Sequence, residues 1–356
     1  MRVIIAAPIV PNVTGGARQI VRWTAAEIRA RGHEVEELWL PFPTDFPNIM
    51  PALIGMRATP VASSCDRLIT IGWPSHILRH PNKVTWFIHH YRRLFDLWDT
   101  PHRAFPDNAE TRSYRAALKR VDALGLGECQ AIFTNSKIMS DRLLEFNGIS
   151  SEVLYPPLGG DLFGFGVKEY GDFIFYPSRV TPIKRQLLAV EAMQYTNTPV
   201  KLVIAGKPEA KWYEDELRAT VAKHHLETKV DLRLGWLAQD TKEDLLSKCL
   251  AVAYLPTDED SYGYISLEAS LSHKAIITTT DSGGVPEFVR NGVEGFILSP
   301  TPQKLAEVFD KLYLDRKLAE QMGAASFKRR AELHISADNV VQKLLGAAPT
   351  HIGVPL

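Results

Sequence analysis

The chain has 356 residues, and its 41 basic and 41 acidic side chains give a formal net charge of zero. Because a single hydrophobic core rarely grows beyond about 250–300 residues, this length predicts two domains. A hydrophobic fraction of 45% without net charge excludes an intrinsically disordered chain, and the neutral balance argues against a dedicated nucleic-acid-binding protein.

The cysteine pattern and the apolar runs indicate the compartment. Cys65, Cys129 and Cys249 are widely spaced and form no paired motif, so the sequence predicts neither a zinc site nor a disulfide framework. We expect Cys129 and Cys249 to be buried thiols because they border apolar runs. No run approaches the roughly 18 apolar residues of a spanning helix, and the first is too short for a signal peptide. We therefore expect a soluble, cytoplasmic protein.

The first half of the chain alternates strands and helices. In order, the pattern predicts a strand at 2–10, a loop ending in Gly15 and Gly16, a helix at 17–31, strands at 35–40, 68–72 and 84–89, a helix at 109–123, a strand at 131–135, a helix at 138–146 and a short strand at 152–155. Continuously apolar strands of this kind are typical of parallel sheets that are buried on both faces.

A glycine-rich segment separates this series from a second one, and we expect residues 158–171 to be a linker. Beyond it the pattern predicts strands at 173–177, 200–205, 230–234, 251–255 and 275–279, helices beginning near Lys184, Tyr213, Lys242 and Tyr262, and a nearly all-helical tail at 302–345. The α/β alternation predicts two Rossmann-like parallel-sheet domains, 1–157 and 172–335, facing each other across a cleft. We expect residues 336–356 to be a C-terminal helix and tail that can return to the first domain.

The densest group of candidate functional residues lies at 257–287. An acidic run, residues 258–260, follows a predicted strand, and Glu268 lies about two turns into the next helix. Gly263 would let a ligand approach the start of that helix, where free N–H groups and the helix dipole favour a phosphate. An equal alternative is that the acidic residues only stabilise the dipole of their own helix.

The spacing of Asp260 and Glu268 resembles the signature of the retaining GT-B glycosyltransferases of family 4, the glycosyl transferases group 1, which normally has Glu at both ends. This resemblance implies the GT-B fold, a nucleotide diphosphate sugar as donor, and neither a metal nor another cofactor. Asp260, or alternatively Glu259, takes the first position. Glu268 then binds the ribose hydroxyls, since a carboxylate can accept hydrogen bonds from both. The first carboxylate and the following N–H groups face the donor sugar and diphosphate, at Tyr262, Gly263 and Tyr264.

A basic segment supports the resemblance. Arg179 and Lys184 are similar to the family's arginine and lysine that grip the donor diphosphate. Two cations near a strand end can neutralise the leaving diphosphate as its charge develops. Ser178 and Arg185 stand where the family has glycine, and neither change removes a cation. In isolation both cations would be read as surface charges, but next to Glu268 the diphosphate role is favoured.

Two further segments of the second half resemble the family. The turn at 280–287 is similar to the small-residue turn before its last Rossmann helix, and Gly283 and Gly284 there permit close backbone approach. The strand at 230–234 leads to the segment that borders the nucleotide base. Gly235 is therefore a candidate donor contact, and Trp236 either covers the base or lies in the core.

The first half carries three candidates. Gly16, after Gly15, resembles the glycine loop that lies under the donor phosphates. His89, at the end of the fourth predicted strand, stands where the family has a histidine close to the transferred sugar. We choose His89 over His90 because His89 continues the strand register, and the alternative is a histidine that only caps the strand. Ser136 fits a helix N-cap better than a ligand contact.

The first domain is also basic and aromatic. Residues 1–156 hold 18 basic and 15 acidic groups, and the remainder holds 23 and 26. The cluster comprises Arg92, Arg93, Arg103, Arg112, Arg115, Lys119 and Arg120, interleaved with Tyr91, Phe95, Trp98 and Phe105. Such a surface could rest on anionic lipid headgroups. Solvated helix faces or the walls of an acceptor pocket explain the same charges equally well.

Taken together, the sequence predicts a metal-independent hexosyltransferase that moves a sugar from a nucleotide diphosphate sugar to an acceptor hydroxyl with retention of configuration. The second domain binds the donor, and the first binds a carbohydrate, glycolipid or glycoprotein acceptor, as in bacterial polysaccharide assembly. Catalytic roles fall to His89, Arg179, Lys184 and Asp260. Two alternatives are a nucleotide-sugar epimerase of the same fold and a catalytically weak nucleotide-sugar-binding partner protein.

Overall fold

The computed structural model describes residues 1–9, 16–43, 48–100, 103, 105–158 and 166–346. The chain divides into two compact units, with residues 1–159 and 335–356 in unit 1 and residues 160–334 in unit 2. Within the described ranges, no helix has the length and apolarity needed to cross a membrane. The predicted loop before Gly16 and residues 159–165 of the predicted linker lie outside the described residues.

Unit 1 contains a six-stranded parallel sheet in the order β2-β1-β3-β4-β5-β6. Its strands are β1 (Arg2–Ile9), β2 (Glu34–Pro41), β3 (Arg67–Ile71), β4 (Lys83–Phe87), β5 (Ala131–Thr134) and β6 (Glu152–Val153). Its first four helices are α1 (Gly16–Ala30), α2 (Ile49–Ala58), α3 (Ala109–Gly127) and α4 (Lys137–Asn147). Every residue of β3 and β4 is buried, as the apolar runs predicted.

Local sequence explains where α3 begins and where α4 begins and ends. The side chain of Asn108 accepts a hydrogen bond from the N–H of Thr111 in a capping box. Ser136 Oγ accepts from the N–H of Met139 at 3.1 Å, which confirms its predicted N-cap role. Helix α4 stops at Gly148, which adopts the left-handed φ of 68° that favours glycine.

Unit 2 contains a second six-stranded parallel sheet, in the order β12-β11-β10-β7-β8-β9. Its strands are β7 (Phe173–Pro177), β8 (Lys201–Gly206), β9 (Val230–Leu234), β10 (Ala251–Ala253), β11 (Ala275–Thr279) and β12 (Gly295–Leu298). Its helices are α5 (Gln186–Ala192), α6 (Lys211–Lys223), α7 (Gln239–Lys248), α8 (Tyr264–Leu271), α9 (Val285–Phe288), α10 (Pro302–Leu314) and α11 (Arg316–Glu332).

The strand order of each sheet fixes where a ligand crevice can open. In unit 2 the chain leaves β7 toward β8 and β9, then returns and leaves β10 toward β11 and β12. The connections that follow β7 and β10 therefore diverge at their carboxyl ends, which is where open α/β sheets bind ligands. In unit 1 the same reversal lies between β1 and β3.

The last described helix, α12 (Ala337–Gly346), belongs to unit 1. Asp338 forms an ion pair with Arg31, and Lys343 Nζ lies 2.7 Å from Glu152 Oε1. The Arg67 guanidinium donates a hydrogen bond to the carbonyl oxygen of Leu345, near the end of this helix, at 3.2 Å. Residues 166–171 of the predicted linker belong to unit 2. The N–H groups of residues 168 and 169 donate hydrogen bonds there to the carbonyl oxygen of Ser247.

The structure corrects the predicted end of the fourth strand and adds two elements that were not predicted. The fourth strand ends at Phe87 instead of His89, because its ladder partner β5 ends at Thr134, opposite Phe87. Residues 49–58, for which no element was predicted, form α2, whose buried Ile49, Leu53 and Met56 have helical spacing that could have revealed it. Strand β12 was not predicted. All three cysteines are buried and free, as expected for Cys129 and Cys249.

Candidate functional site

Four of the residues predicted to bind a donor lie on the two connections that follow β7 and β10. Arg179 and Lys184 lie on the connection after β7, and Glu259 and Asp260 lie on the loop after β10. The two connections touch, since the N–H of Thr257 donates to the carbonyl oxygen of Ile183 at 2.8 Å. The parallel topology therefore brings together the basic and acidic segments that are about 75 residues apart in sequence.

Lys184 is held inside this crevice by a tyrosine and a carboxylate. Its side chain is only 10% exposed, and its Nζ donates to the hydroxyl oxygen of Tyr254 at 2.8 Å and forms an ion pair with Glu259. The Tyr254 hydroxyl in turn donates to Glu259 Oε2 at 3.1 Å. Burial, reinforced by the charge of Glu259, raises the pKa of Tyr254 well above its ordinary value, so the hydroxyl keeps its proton. Sequence reasoning missed Tyr254, which reads as part of an apolar strand.

Arg179, the other predicted diphosphate cation, is far more accessible. Its side chain is 67% exposed and forms an ion pair with Glu209, on the loop after β8. Both predicted cations therefore hold a carboxylate from this same unit. An exposed pair such as Arg179–Glu209 contributes little to stability, so its arginine can be redirected to another anion at small cost.

Gly283 and Gly284 do permit close approach, but what approaches them is the chain itself. A Cβ on Gly283 would lie 2.2 Å from the carbonyl oxygen of Glu259, and Gly283 adopts a φ of +63°. The N–H of Gly284 donates to the same oxygen at 2.8 Å. These glycines therefore hold the acidic loop in place, and the close backbone approach that they permit is made by the Glu259 backbone.

Gly263 also lies against another part of the chain. It adopts a φ of +72°, and a Cβ there would lie 2.3 Å from the ring of Tyr254. The tyrosine ring thus packs against the position that a side chain would occupy at residue 263, and the predicted donor contact of the Gly263 backbone stays a prediction. Helix α8 begins just after it, at Tyr264, where burial raises the pKa of the tyrosine hydroxyl. Tyr262 is a buried side chain that packs against Phe288, and its predicted donor contact stays a prediction.

Glu268 lies on α8 with its carboxylate almost completely buried. Oε1 accepts a hydrogen bond from Lys242 Nζ, on α7, at 2.5 Å. Burial raises the pKa of Glu268 above its ordinary value, and the charge and hydrogen bond of Lys242 oppose that shift. Lys242 therefore helps to keep the buried carboxylate ionised and able to accept hydrogen bonds. No sequence motif links these two residues, which lie on different helices.

The loop after β9 presents a glycine and an exposed indole. The N–H of Gly235 donates to the carbonyl oxygen of Gly206 at 3.0 Å, and a Cβ on Gly235 would meet open space. Trp236 is 89% exposed, so the alternative that it belongs to the core is wrong. An exposed indole of this size remains available to cover a flat ring.

In unit 1, the structure distinguishes the two neighbouring histidines. His90 is buried, stacks on Phe95 with ring centroids 4.6 Å apart, and places Nε2 2.8 Å from Asn147 Oδ1. Burial lowers its pKa to about 4, so it is neutral at physiological pH. His89 is half-buried, and its Nδ1 donates to the carbonyl oxygen of His90 at 2.8 Å. His89 therefore has the more accessible ring, although it lies beyond the strand. Gly16 is the first residue of α1.

The basic and aromatic cluster of unit 1 is partly satisfied internally. Trp98 is flanked by the guanidinium groups of Arg103 and Arg115, 5.3 and 4.9 Å from its ring. Asp96 pairs with Arg92 at 2.7 Å and with Arg142 at 3.7 Å. Among the described residues, no group of three or more His, Cys, Asp or Glu side chains is arranged to hold a metal ion.

The geometry of unit 2 supports two kinds of contact. Cations and helix N–H groups beside the β7–β10 crevice suit a phosphorylated ligand. A buried carboxylate on α8 suits a pair of hydroxyl groups.

Comparison with known proteins agrees with this geometry. Residues 163–329 match the family described as glycosyl transferases group 1. Mouse alpha-1,3/1,6-mannosyltransferase ALG2 is 29% identical over 273 residues, which cover 67% of this chain and 65% of the relative. Alpha-maltose-1-phosphate synthase of Mycobacterium tuberculosis is 27% identical over 51% of this chain and 50% of its own length. The chain thus spans about 60–65% of the mammalian ALG2 proteins that it matches.

Solved structures show the fold. The complex of Anabaena Alr3699/HepE with UDP superposes with a TM-score of 0.73 at 16% identity, covering 97% of this chain and 99% of that one. A glycosyltransferase from Rickettsia africae gives a TM-score of 0.73 at 16% identity, covering 97% of both chains. With its two six-stranded parallel sheets, the chain therefore has the GT-B fold.

Proposed function

We propose that this chain, whose residues 163–329 belong to the glycosyl transferases group 1 family and which has a GT-B fold, transfers a sugar from a nucleotide diphosphate sugar to an acceptor hydroxyl. One observation carries the proposal. The β7–β10 crevice of the family-matching unit gathers Arg179 and Lys184 beside the acidic loop, at the edge where open α/β sheets bind nucleotides.

In the proposed complex, the diphosphate lies against Arg179, Lys184 and the start of α8. Both cations already hold carboxylates, Glu209 and Glu259, so the diphosphate exchanges with or joins these contacts. Glu268 accepts hydrogen bonds from the ribose hydroxyls, and Lys242 keeps it charged. Gly235 and Trp236 border the base.

The chemical step follows from this placement. The bond between the anomeric carbon and the diphosphate oxygen breaks as the acceptor hydroxyl oxygen bonds to that carbon, and the hydroxyl proton passes to the departing diphosphate. In the transition state, positive charge develops on the sugar and negative charge on the leaving diphosphate. Fixed cations and N–H groups stabilise that charge, so we propose a reaction that needs no divalent metal, with retained configuration at the anomeric carbon. Asp260 lies on the loop that faces the sugar. We assign the acceptor to unit 1, with His89 as its candidate hydrogen-bonding group.

The finer identity is also a proposal. The relatives named above include hexosyltransferases, and Alr3699/HepE was solved with UDP and with UDP-glucose. We propose a nucleoside diphosphate hexose as donor and a carbohydrate, glycolipid or glycoprotein as acceptor, as in bacterial glycoconjugate assembly. Peripheral contact of basic unit 1 with an anionic membrane would suit a lipid-linked acceptor.

A panel of GDP-, UDP- and dTDP-sugars tests the proposal. We expect one nucleotide family to raise the melting temperature of the wild type and to support transfer. The variants Arg179→Ala, Lys184→Ala and Glu268→Ala should lose most of that transfer, about 100-fold or more for a group that stabilises the leaving charge. The exposed Arg218→Ala is the matched control and should be unaffected. Near-wild-type transfer by all three variants would refute the assignment.

The same panel separates the alternatives. An epimerase would convert the donor into an isomer without any acceptor, and a binding partner would bind the donor tightly without turning it over. Chromatography of the nucleotide products with and without an acceptor preparation distinguishes these outcomes from transfer.

A further inference from the structure

Arg185 is unusual in both backbone and side chain. It lies between the short 3-10 turn Pro182–Lys184 and α5, and its backbone is left-handed, with φ 54° and ψ 40°. A glycine adopts this conformation without steric conflict, whereas any residue with a Cβ is disfavoured in it. An arginine at this position therefore needs a reason that its backbone does not supply.

The reason lies in its guanidinium group, which reaches two other segments. Nε donates to the carbonyl oxygen of Leu255 at 2.7 Å, and Nη2 donates to that of Pro256 at 2.8 Å. Nη1 and Nη2 form a two-pronged ion pair with Asp281, at 2.8 and 2.9 Å, and Nη2 also donates to Thr279 Oγ1 at 2.6 Å. One side chain thus joins the connection after β7 to the segments after β10 and β11.

Those segments carry the predicted donor residues. Arg185 directly follows Lys184, and the carbonyls it binds precede the acidic loop at 258–260. The carbonyl oxygen of Asp281 accepts from the N–H of Asp258 at 2.9 Å, and Gly284 holds the carbonyl of Glu259. The Arg185–Asp281 pair therefore holds the segment that carries Lys184 in place relative to the acidic loop.

The pair is built to remain charged. The Arg185 side chain is 17% exposed. Burial acts to raise the pKa of Asp281, but hydrogen bonds from Arg185 and Thr279 outweigh it and hold that pKa below its ordinary value. Two parallel N–H···O contacts also define direction, which a lysine at this position would not reproduce.

We propose that Arg185 is a positioning residue of the donor site: it does not touch the donor, and it holds Lys184 and the acidic loop in their binding arrangement before the donor arrives. This inference rests on the proposed function. When the binding segments are already ordered, binding the donor does not cost the entropy of ordering them, so the affinity for the donor is higher. Loss of the guanidinium should therefore weaken donor binding and slow transfer while the fold persists.

The test compares Arg185→Gly, Arg185→Lys and the control Arg218→Ala, an exposed arginine on α6 that pairs with Glu214. Glycine adopts the left-handed backbone conformation readily, so Arg185→Gly removes the contacts of the guanidinium group without adding backbone strain. Binding of UDP and GDP is measured by calorimetry, together with kcat, KM and the melting temperature. We expect Arg185→Gly to weaken the preferred nucleotide about tenfold to 100-fold and to lower kcat, with Arg185→Lys nearly as impaired and the control unchanged.

Chemical rescue separates positioning from general stability. Low, non-denaturing concentrations of guanidinium chloride should restore part of the nucleotide affinity of Arg185→Gly and none of that of Lys184→Ala. Wild-type affinity in Arg185→Gly, or a loss that sodium chloride and guanidinium chloride affect equally, would overturn the inference while leaving the proposed function intact. If the wild type binds no nucleoside diphosphate, the proposed function fails, and the positioning role fails with it.

Discussion

The buried pair formed by Lys242 and Glu268 gives the sharpest stability prediction. The Glu268 side chain is 10% exposed, the Lys242 side chain is 23% exposed, and their charged atoms lie 2.5 Å apart. We consider Lys242→Met, which keeps the length and apolar stem of the lysine and removes its charge. The carboxylate is then buried without a cation.

The size of the stability loss in Lys242→Met follows from how deeply the ion pair is buried. Removing one partner of a fully buried ion pair costs about 3–5 kcal/mol. Because the Lys242 side chain is 23% exposed and water screens the pair, we expect a smaller loss of about 1–3 kcal/mol at neutral pH. The carboxyl group can escape part of this loss by taking up a proton.

The pH dependence has a definite sign. Burial already raises the pKa of Glu268 above its unfolded value of 4.5, so the folded state binds this proton more tightly than the unfolded state does. Stability is therefore highest below that unfolded value and falls as pH rises through the folded pKa. Without Lys242 the pKa rises further, and the window of decreasing stability extends toward neutral pH.

Melting temperatures between about pH 5.5 and 8.5 provide the assay. The deficit of Lys242→Met relative to the wild type should be largest at the alkaline end and should shrink as the pH falls. The control is the same lysine substitution in the Glu268→Gln background, where the deficit of Lys242→Met/Glu268→Gln relative to Glu268→Gln should be smaller and independent of pH. A deficit of equal size at every pH, or one that Glu268→Gln does not relieve, would refute the reasoning.

Two further predictions concern the acidic loop and unit 1. Gly283→Ala should destabilise the protein by about 2 kcal/mol or more, because its Cβ would collide with Glu259, whereas Gly292→Ala, with a φ of +82° and open space around it, should cost about 1 kcal/mol. Similar melting temperatures for the two would contradict the proposed seating of the loop. His90 is held neutral with a pKa of about 4, so the unfolded state takes up its proton first, and stability should fall by up to about 3 kcal/mol as pH drops from 6.5 to 4. His90→Phe should flatten the acid limb of a urea-unfolding series, and an unchanged slope would contradict the assignment.

The sequence predicted the elements whose signals are local. The apolar run at the start of the chain became β1, the N-cap serine began α4, and the alternation of strands and helices produced two parallel sheets. Such features depend on residues that are neighbours in sequence, so period and capping chemistry are enough to find them. The predicted end of β4 was wrong because the strand ends where its partner strand β5 ends, and that is not a local property of the sequence.

Contacts between loops could not be predicted in this way. The sequence does not show that the backbone of Glu259 lies against Gly283. It shows Arg185 only as a residue that replaces a glycine, and the ion pair with Asp281 is visible only in the structure. Lys242 and Glu268 lie on different helices with no shared motif. These relations depend on tertiary packing across segments 24 to 96 residues apart, for which a single sequence carries no periodic signal.

The central claim is that the crevice of unit 2 binds a nucleotide sugar whose sugar moves to an acceptor hydroxyl. The most direct test incubates the wild type and Glu268→Ala with the preferred nucleotide sugar and an acceptor preparation, and follows the anomeric protons by NMR. We predict a new glycosidic linkage with the donor's anomeric configuration, formed in step with free nucleoside diphosphate and almost absent in the variant. An acceptor that stays unmodified, or a linkage formed equally well without Glu268, would contradict the account.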